Sequence, residues 1–306
     1  MTNKNSFDTT KTVTIKEKNA AIKHIAAILN NKHVIELIKK LKANEQEIEQ
    51  YAADFLVYAN EQKQPDNHLW LTSITRNTTT GKINVSKYIN KSKKFESFKI
   101  KANINLGFLG KLKYDVKLQH FIFSDDNSED DIYVYLQNML NAIKNNKKIP
   151  SLFLIGDYET SKTELMCALT NHFASLNYKV AYIDVNDLDD YSKKVFSNDI
   201  NIDISLLTQE LIEQDVLFID ELGYKQLNNW FLETILVKVL EKRYLDKKLT
   251  FFGSYYGINK ITYRITKEKL SNESNNWPPL FKKFLFLIDK MSDEKIWTEK
   301  YEIKEN

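Results

Sequence analysis

Apolar residues recur at helical spacing along the first part of the chain. Ile22, Ile25, Ala26 and Leu29 form one stripe, Val34, Ile35, Ile38 and Leu41 a second, and Ile48, Tyr51, Phe55 and Tyr58 a third. Thr14 to Gln64 reads as a small helical unit with a break near Asn44, behind a loose polar tail over residues 1–14. The period then changes. Leu69–Ile74 and Ile83–Tyr88 read as two short strands around a Thr-rich turn ending at Gly81, a hairpin. A helix start follows at Ser128, whose spacing to Asp131 is that of a capping box, and the helix runs to about Asn145. After Pro150 the pattern becomes one of strand-length apolar runs: Leu152–Ile155, Val180–Ile183, Val216–Ile219, Leu249–Phe252 and Phe284–Ile288. Helical stretches such as Thr163–Leu176 and Asn229–Tyr244 separate them. Strands that alternate with helices predict a parallel sheet covered on both faces.

Composition narrows the class. A 306-residue chain with 42% apolar residues holds roughly two domains, each with a core. The net charge of +3 argues against a chain that coats nucleic acid without selectivity. One stretch departs from that balance: Lys82 to Lys117 carries ten lysines against Glu96 and Asp115, with Tyr88, Phe95, Phe98, Phe108 and Tyr114 among them. Such a segment can track phosphates and stack bases, or be a solvated linker whose aromatics pack on a neighbour. No apolar run approaches the ~20 residues of a membrane helix, and residues 1–14 lack the apolar region of a signal peptide. Cys167, the one cysteine, leaves no disulfide framework and no multi-cysteine zinc site. The chain reads as cytoplasmic. Three of the 44 basic residues are arginine (Arg76, Arg243 and Arg264), a bias that suggests AT-rich coding DNA.

Two segments carry candidate chemistry. In the first, the apolar run 152–155 enters a loop, Gly156, Asp157, Tyr158, Glu159, Thr160 and Ser161, and Lys162-Thr163 opens a helix. The phosphate-binding pattern is Gly, four residues, then Gly-Lys-Ser/Thr. The first glycine, the lysine and the threonine are present, and Ser161 replaces the last glycine. Backbone N–H groups of such a loop surround phosphate oxygens, the lysine adds charge, and the hydroxyl helps hold Mg²⁺. In the second, Val216–Ile219 ends in Asp220 and Glu221. An acid pair at a strand end beside a phosphate loop suits Mg²⁺ coordination through Asp220 and activation of water by Glu221. Open α/β sheets bind ligands at the C-terminal strand ends, where both segments deliver their polar residues.

With these residues, Leu222-Gly223, Trp230, Ile235–Tyr244 and Leu249–Ser254 give the chain a resemblance to DnaI-type primosomal helicase loaders, relatives of the DnaC and IstB-type AAA+ proteins. The resemblance covers residues 105–290 and extends more weakly into Val34–Gln62. It implies a P-loop AAA+ (RecA-like) parallel-sheet domain over 105–306 behind a smaller, mainly helical helicase-interaction domain over 15–104. It implies ATP and Mg²⁺ as cofactors, held by the loop 156–163 with Asp220 and with Ser254 at the sensor position, and Glu221 as base. It implies a replicative hexameric DNA helicase as partner, with single-stranded DNA and self-association on the helicase as further contacts, and no membrane.

The chain departs from the family pattern at several positions. Glu159 and Ser161 stand where glycines are usual, and Tyr255 follows Ser254 where asparagine is common. Lys282 and Lys283 occupy the region of the arginine finger, which makes Lys283 a poor substitute because a lysine lacks the bidentate fork. Slow hydrolysis, or none, is expected on these grounds. A non-catalytic helicase-binding adaptor and an IstB-like transposition helper are the alternatives. The family's N-terminal module commonly binds zinc through cysteines; none is present here, so no zinc is expected. Cys167 has the spacing of a core residue, the five histidines lack ligand spacing, and Trp230 and Trp277 are read as packing residues. Arg243 either neutralises a helix C-terminus or faces a nucleotide across a subunit boundary.

Overall fold

Local signals set the N-terminal elements. The structure, a computed structural model, describes residues 30–107, 111–123, 130–196, 203–265, 278–298 and 300–303. Asn31 caps α1 (Lys32–Leu41), its Oδ1 accepting from the N–H groups of His33 and Val34. Lys42 ends it in the left-handed region. Asn44 and Glu47 form a reciprocal capping box at the start of α2 (Glu45–Gln50), where the sequence places its break, and α3 (Ala52–Lys63) follows. The hairpin is β1 (Trp70–Arg76) against β2 (Ile83–Ile89), in register from Trp70 opposite Ile89 to Arg76 opposite Ile83. Val34, Leu41, Phe55, Ala59, Ile74 and Ile83 bury the contact between hairpin and helices. Arg76 binds Glu47 with two 2.8 Å bonds and donates to the Leu41 carbonyl at 2.7 Å. That fork, with the Asn44 N–H, holds the Glu47 carboxyl down to about 2.

The chain divides into two compact units, Met1–Glu96 and Ser97–Asn306. The division falls within α4 (Lys93–Asn103), ahead of the 104/105 boundary read from the sequence. The basic segment is built into elements: it supplies β2, α4 and the two-residue strand β3 (Ile104–Asn105).

In the second unit, α5 (Asp131–Lys144) is capped by Asp130, whose Oδ1 accepts from Ile132 and Tyr133. This corrects the start read at Ser128, a residue outside the described ones. The sheet consists of β3, β5 (Leu152–Ile155), β6 (Val180–Asp184), β7 (Val216–Leu222), β8 (Leu249–Ser254) and β9 (Glu294–Trp297), in the order β3-β6-β7-β8-β5-β9, every pair parallel. Side chains alternate across it. Phe153, Ile155, Ala181, Ile183, Leu217, Ile219 and Phe252 enter one core. It is shared with α7 (Val185–Phe196), α8 (Ile204–Glu213), α10 (Val237–Leu245) and α12 (Pro279–Lys290). Leu152, Leu154, Val180, Tyr182, Val216, Phe218 and Phe251 enter a second core, under α5 and α6 (Lys162–Ser175). Both faces are covered, as near-continuous apolar strands require.

The short helix α9 (Asn229–Phe231) leads into α10 through a π-helical turn, Leu232–Leu236. After β8 comes α11 (Ile258–Ile265). The strand expected at Phe284–Ile288 is instead part of α12. Phe281, Phe284, Leu287 and Ile288 are its buried stripe, at helical spacing. The remaining edge of the sheet is β9, in which only Ile296 is buried, so Glu294 and Lys295 hid it from the apolar pattern. A last two-residue strand, β10 (Glu302–Ile303), pairs antiparallel with β4 (Phe121–Ile122). Among the described residues no helix is long and apolar enough to cross a membrane.

Candidate functional site

Strand β8 separates the loop after β5 from the acids that end β7, and its backbone lets them meet. Gly253 of β8 lies opposite Leu154, and a Cβ there would press on the Asp220 carboxylate, 3.0 Å from its Cγ. The missing side chain is the space through which Asp220 reaches α6. Its Oδ2 accepts from Thr163 Oγ1 at 3.0 Å and from Tyr182 Oη at 2.9 Å. Asp220 is fully buried, and Lys162 is 3% exposed. The ammonium of Lys162 lies 3.8 Å from Asp220 Oδ1 and 3.5 Å from Glu221 Oε1, and 4.3 Å above the Tyr255 ring. The buried ammonium thus lies between two carboxylates, one buried and one half-buried, with the aromatic face adding a cation–π contact.

Glu221 is held from both ends. It has a φ of 65°, at an irregularity in the β7–β8 ladder between Ile219 and Leu222. Its Oε2 accepts from Tyr255 Oη at 2.7 Å and its Oε1 from Thr163 Oγ1 at 3.3 Å. Its carbonyl accepts from Asn186 Nδ2 at 3.2 Å, and Asn186 in turn donates to Asp184 Oδ1 from both backbone and side chain, at 2.8 and 2.9 Å. Burial pushes the Asp184 carboxyl up to about 6 although these bonds oppose it. Burial first, and then the neighbouring carboxylates, push the Tyr255 and Tyr182 phenols upward, so both stay donors.

The loop shows what the two replaced glycines did. Gly156 must be glycine, because a Cβ would run into Thr160 Oγ1 and Thr298 Cγ2. Glu159 has a φ of 63°, the left-handed conformation that glycine adopts without strain, and its side chain points to solvent. Ser161 has a φ of −76°, outside that region. Asp157 Oδ1 accepts from the Tyr158 N–H at 2.8 Å, Thr160 Oγ1 donates to the Asp157 carbonyl at 2.9 Å, and Tyr158 is 74% exposed.

The structure thus brings Lys162, Thr163, Asp220 and Glu221 together, with the loop 156–161 above them. Ser254 borders the loop, its carbonyl accepting from the Gly156 N–H at 2.9 Å, but its hydroxyl is turned to the backbone of Leu222 and Tyr256 at 3.1 and 2.8 Å. Lys283 is not brought in: it lies on α12 in a 2.6 Å ion pair with Glu241. Tyr182 and Asn186 join the cluster although the motif pattern does not include them, and Tyr255 joins it from the sensor position beside Ser254. Tyr182 is the middle residue of β6, where its phenol is the polar group of an otherwise apolar run that ends in Asp184. Cys167 is buried, with its thiol pushed up to about 12 by burial, as expected of a core cysteine. Arg243 is fully buried and caps a helix other than its own. It donates to the carbonyls of Leu211, Ile212 and Gln214 at the C-terminus of α8, and to Leu249 O and Thr250 Oγ1. Trp277 lies outside the described residues.

A parallel sheet with a phosphate-type loop after one strand, and an acid pair two strands away, defines a P-loop ATPase fold of the AAA+ kind. Residues 92–258, just over half of the chain, match the family of IstB-like ATP binding proteins, and the chain belongs to that family. No curated protein sequence matches it significantly. Among solved structures, the crystal structure of DnaI is similar with a TM-score of 0.52 and 18% identity, over 64% of this chain and 98% of that one. A putative primosome component from Streptococcus pyogenes serotype M3 gives 0.45 and 16%, over 66% and 97%. The DnaC helicase loader gives 0.44 and 17%, over 61% and 98%. The fold implied by the resemblance is the fold found.

Proposed function

We propose that the chain is an ATP-controlled loader, binding a replicative hexameric DNA helicase and placing it on single-stranded DNA. The observation that carries the nucleotide part is the Thr163–Asp220 contact through the gap at Gly253, beside a buried lysine and under a helix start that no side chain caps. The donor set fits a nucleoside triphosphate with Mg²⁺. The N–H groups at the start of α6 and the ammonium of Lys162 suit phosphate oxygens. Thr163 and Asp220 suit a hard cation, whose other ligands would be phosphate and water oxygens. Bound Mg²⁺ would neutralise phosphate charge. In the chain itself, Glu221 is the carboxylate placed to orient or deprotonate a water, and Tyr255 fixes that carboxylate through the 2.7 Å bond. Asn186 fixes the backbone that aims it.

A second reading, an adaptor that binds nucleotide with little turnover, draws support from the same bonds. Glu221 already accepts from Tyr255 at 2.7 Å and lies within 3.5 Å of Thr163 Oγ1 and Lys162 Nζ, so a water that it is to activate must compete with these neighbours for its oxygens. Glu221→Gln separates the two: a loader that cycles loses ATP hydrolysis, whereas an adaptor loads helicase unchanged. An IstB-like transposition helper is the third reading, and capture of the purified replicative helicase by the full chain decides against it.

The first test is equilibrium binding of a fluorescent ATP analogue with Mg²⁺. Lys162→Ala is expected to weaken binding at least about 30-fold, the usual loss when a buried charge partner is removed. Equal binding by both proteins would sink the nucleotide site.

A further inference from the structure

A serine at the start of a helix normally turns its oxygen onto the N–H of the second or third helical residue. At Ser161 those residues are Thr163 and Glu164, and their N–H groups are donors that a phosphate at this helix start needs. A serine in place of the loop glycine therefore carries a liability, because it can fill the anion site with its own hydroxyl. In the structure it does not: the Ser161 backbone, with φ −76° and ψ 24°, lies outside the extended region that a capping serine adopts. Ser161 Oγ accepts from the Tyr301 N–H at 2.9 Å and donates to the Tyr301 carbonyl at 3.2 Å, and makes no capping bond.

Tyr301 is itself fixed at several points. Its phenol donates to Asp130 Oδ1 at 3.2 Å. Its ring meets those of Phe123 and Phe121 edge-on, with centroids 5.3 and 6.3 Å away. The next residues form β10 on β4, and Thr298 donates from its N–H to the Ile155 carbonyl at 2.7 Å.

We infer that the C-terminal segment, residues 298 and 300–303, is a positioning element of the nucleotide site. By holding the Ser161 hydroxyl with two bonds, the Tyr301 backbone keeps residue 161 in this non-capping conformation and the start of α6 open to phosphate. The inference rests on the nucleotide reading above and extends it. The segment does for Ser161 what a glycine would do by having no side chain.

The experiment compares four proteins: the unaltered chain, a chain ending at Thr298, Ser161→Gly, and Ser161→Gly ending at Thr298. Binding of a fluorescent ATP analogue with Mg²⁺ is one readout. Hydrogen exchange at the Thr163 and Glu164 amides, without nucleotide, is the other. Truncation of the unaltered chain is expected to weaken binding about fivefold, the factor that one serine cap represents. It should slow exchange at one of the two amides by a similar factor. With glycine at position 161, truncation should change neither. Tyr301→Pro, which removes the N–H donor at full chain length, should repeat the effect of truncation if the short chain folds poorly. Tighter binding after truncation would make the segment a lock and overturn the inference, as would no change, or an equal loss with serine and with glycine. If exchange shifts as expected but none of the four proteins binds nucleotide, it is the nucleotide reading that fails.

Discussion

The two ends of the parallel sheet are built on opposite terms. At the C-terminal strand ends, Glu159 and Glu221 both hold positive φ values, 63° and 65°. Lys162 lies between two carboxylates at 3.5 and 3.8 Å, longer than a well-made ion pair, and α6 begins without a side-chain cap. At the N-terminal strand ends the polar groups are closed off. Arg243 donates to four carbonyls and a hydroxyl. Asp293 accepts from the N–H and hydroxyl of Ser151 and from Lys148, and Asp215 accepts from the Lys179 N–H at 2.8 Å. Left-handed residues occur at both ends, since Asn146, Asn177 and Lys247 follow the helices that lead into β5, β6 and β8; what differs is that α6 begins without a cap at one end, whereas Arg243, Asp293 and Asp215 are hydrogen-bonded to the backbone at the other. Removal of a hydrogen bond should therefore cost stability at either end, whereas relief of the left-handed Glu159 at the C-terminal end should raise it.

The largest effect belongs to Arg243. Burial, opposed by Asp215 and Asp246, pushes its guanidinium down to about 9, yet it holds the C-terminus of α8 to the start of β8. Arg243→Ala leaves several buried carbonyls without donors, each costing about 1–3 kcal/mol. A loss of about 3 kcal/mol or more is expected in urea unfolding, with nucleotide affinity of the folded protein within about twofold. A loss below about 1 kcal/mol, or a tenfold change in affinity, would break the contrast between the ends.

Asp184 probes the strained end by pH. Its folded value is about 6 against an ordinary 3.8, so between these values the folded chain holds a proton that the unfolded chain has released. Stability from this group is present below about pH 4 and is lost as pH rises through about 6. Asp184→Asn removes the loss. From about pH 4 to pH 7 the variant should gain about 2 kcal/mol on the unaltered protein, less than the full shift implies because the site is partly solvated. A gap constant with pH would show that burial does not disfavour this charge.

How much of this was legible in the sequence follows from the range of the forces involved. Asn31, Asn44 and the turn at Gly81 act on neighbours within a few residues, and the helix after Asn31, the break at Asn44 and the hairpin came out where the pattern put them, while the stripe from Ile22 to Leu29 lies outside the described residues. The four central strands were legible because both of their faces are buried. Glu294–Trp297 was not, because an edge strand keeps its charges, and Phe284–Ile288 misled because a short apolar run has no period of its own. In the site, Lys162, Thr163, Asp220 and Glu221 were named by motif. Tyr255, Asn186 and the Ser161–Tyr301 bond depend on contacts across 34 to 140 residues, which no local spacing encodes. Of the two readings of Arg243, a helix C-terminus or a nucleotide across a subunit boundary, a helix C-terminus is what it meets, but that of α8 and not of its own helix, for the same reason.

The smallest effect is the sharpest comparison, between the two replaced glycines. On sequence they are equivalent departures from one motif. In the structure Glu159 is in the left-handed region and Ser161 is not. Glu159→Gly should raise stability by about 1 kcal/mol, since it removes a left-handed cost that exceeds the added freedom of the unfolded chain. Ser161→Gly should lower stability by about 1 kcal/mol, because it gives up two hydrogen bonds to Tyr301 and gains no relief of strain. Urea unfolding of the two variants reads the difference directly. The same sign for both would mean that the loop relaxes freely, and the strain assigned to this end of the sheet would then rest on Glu221 alone.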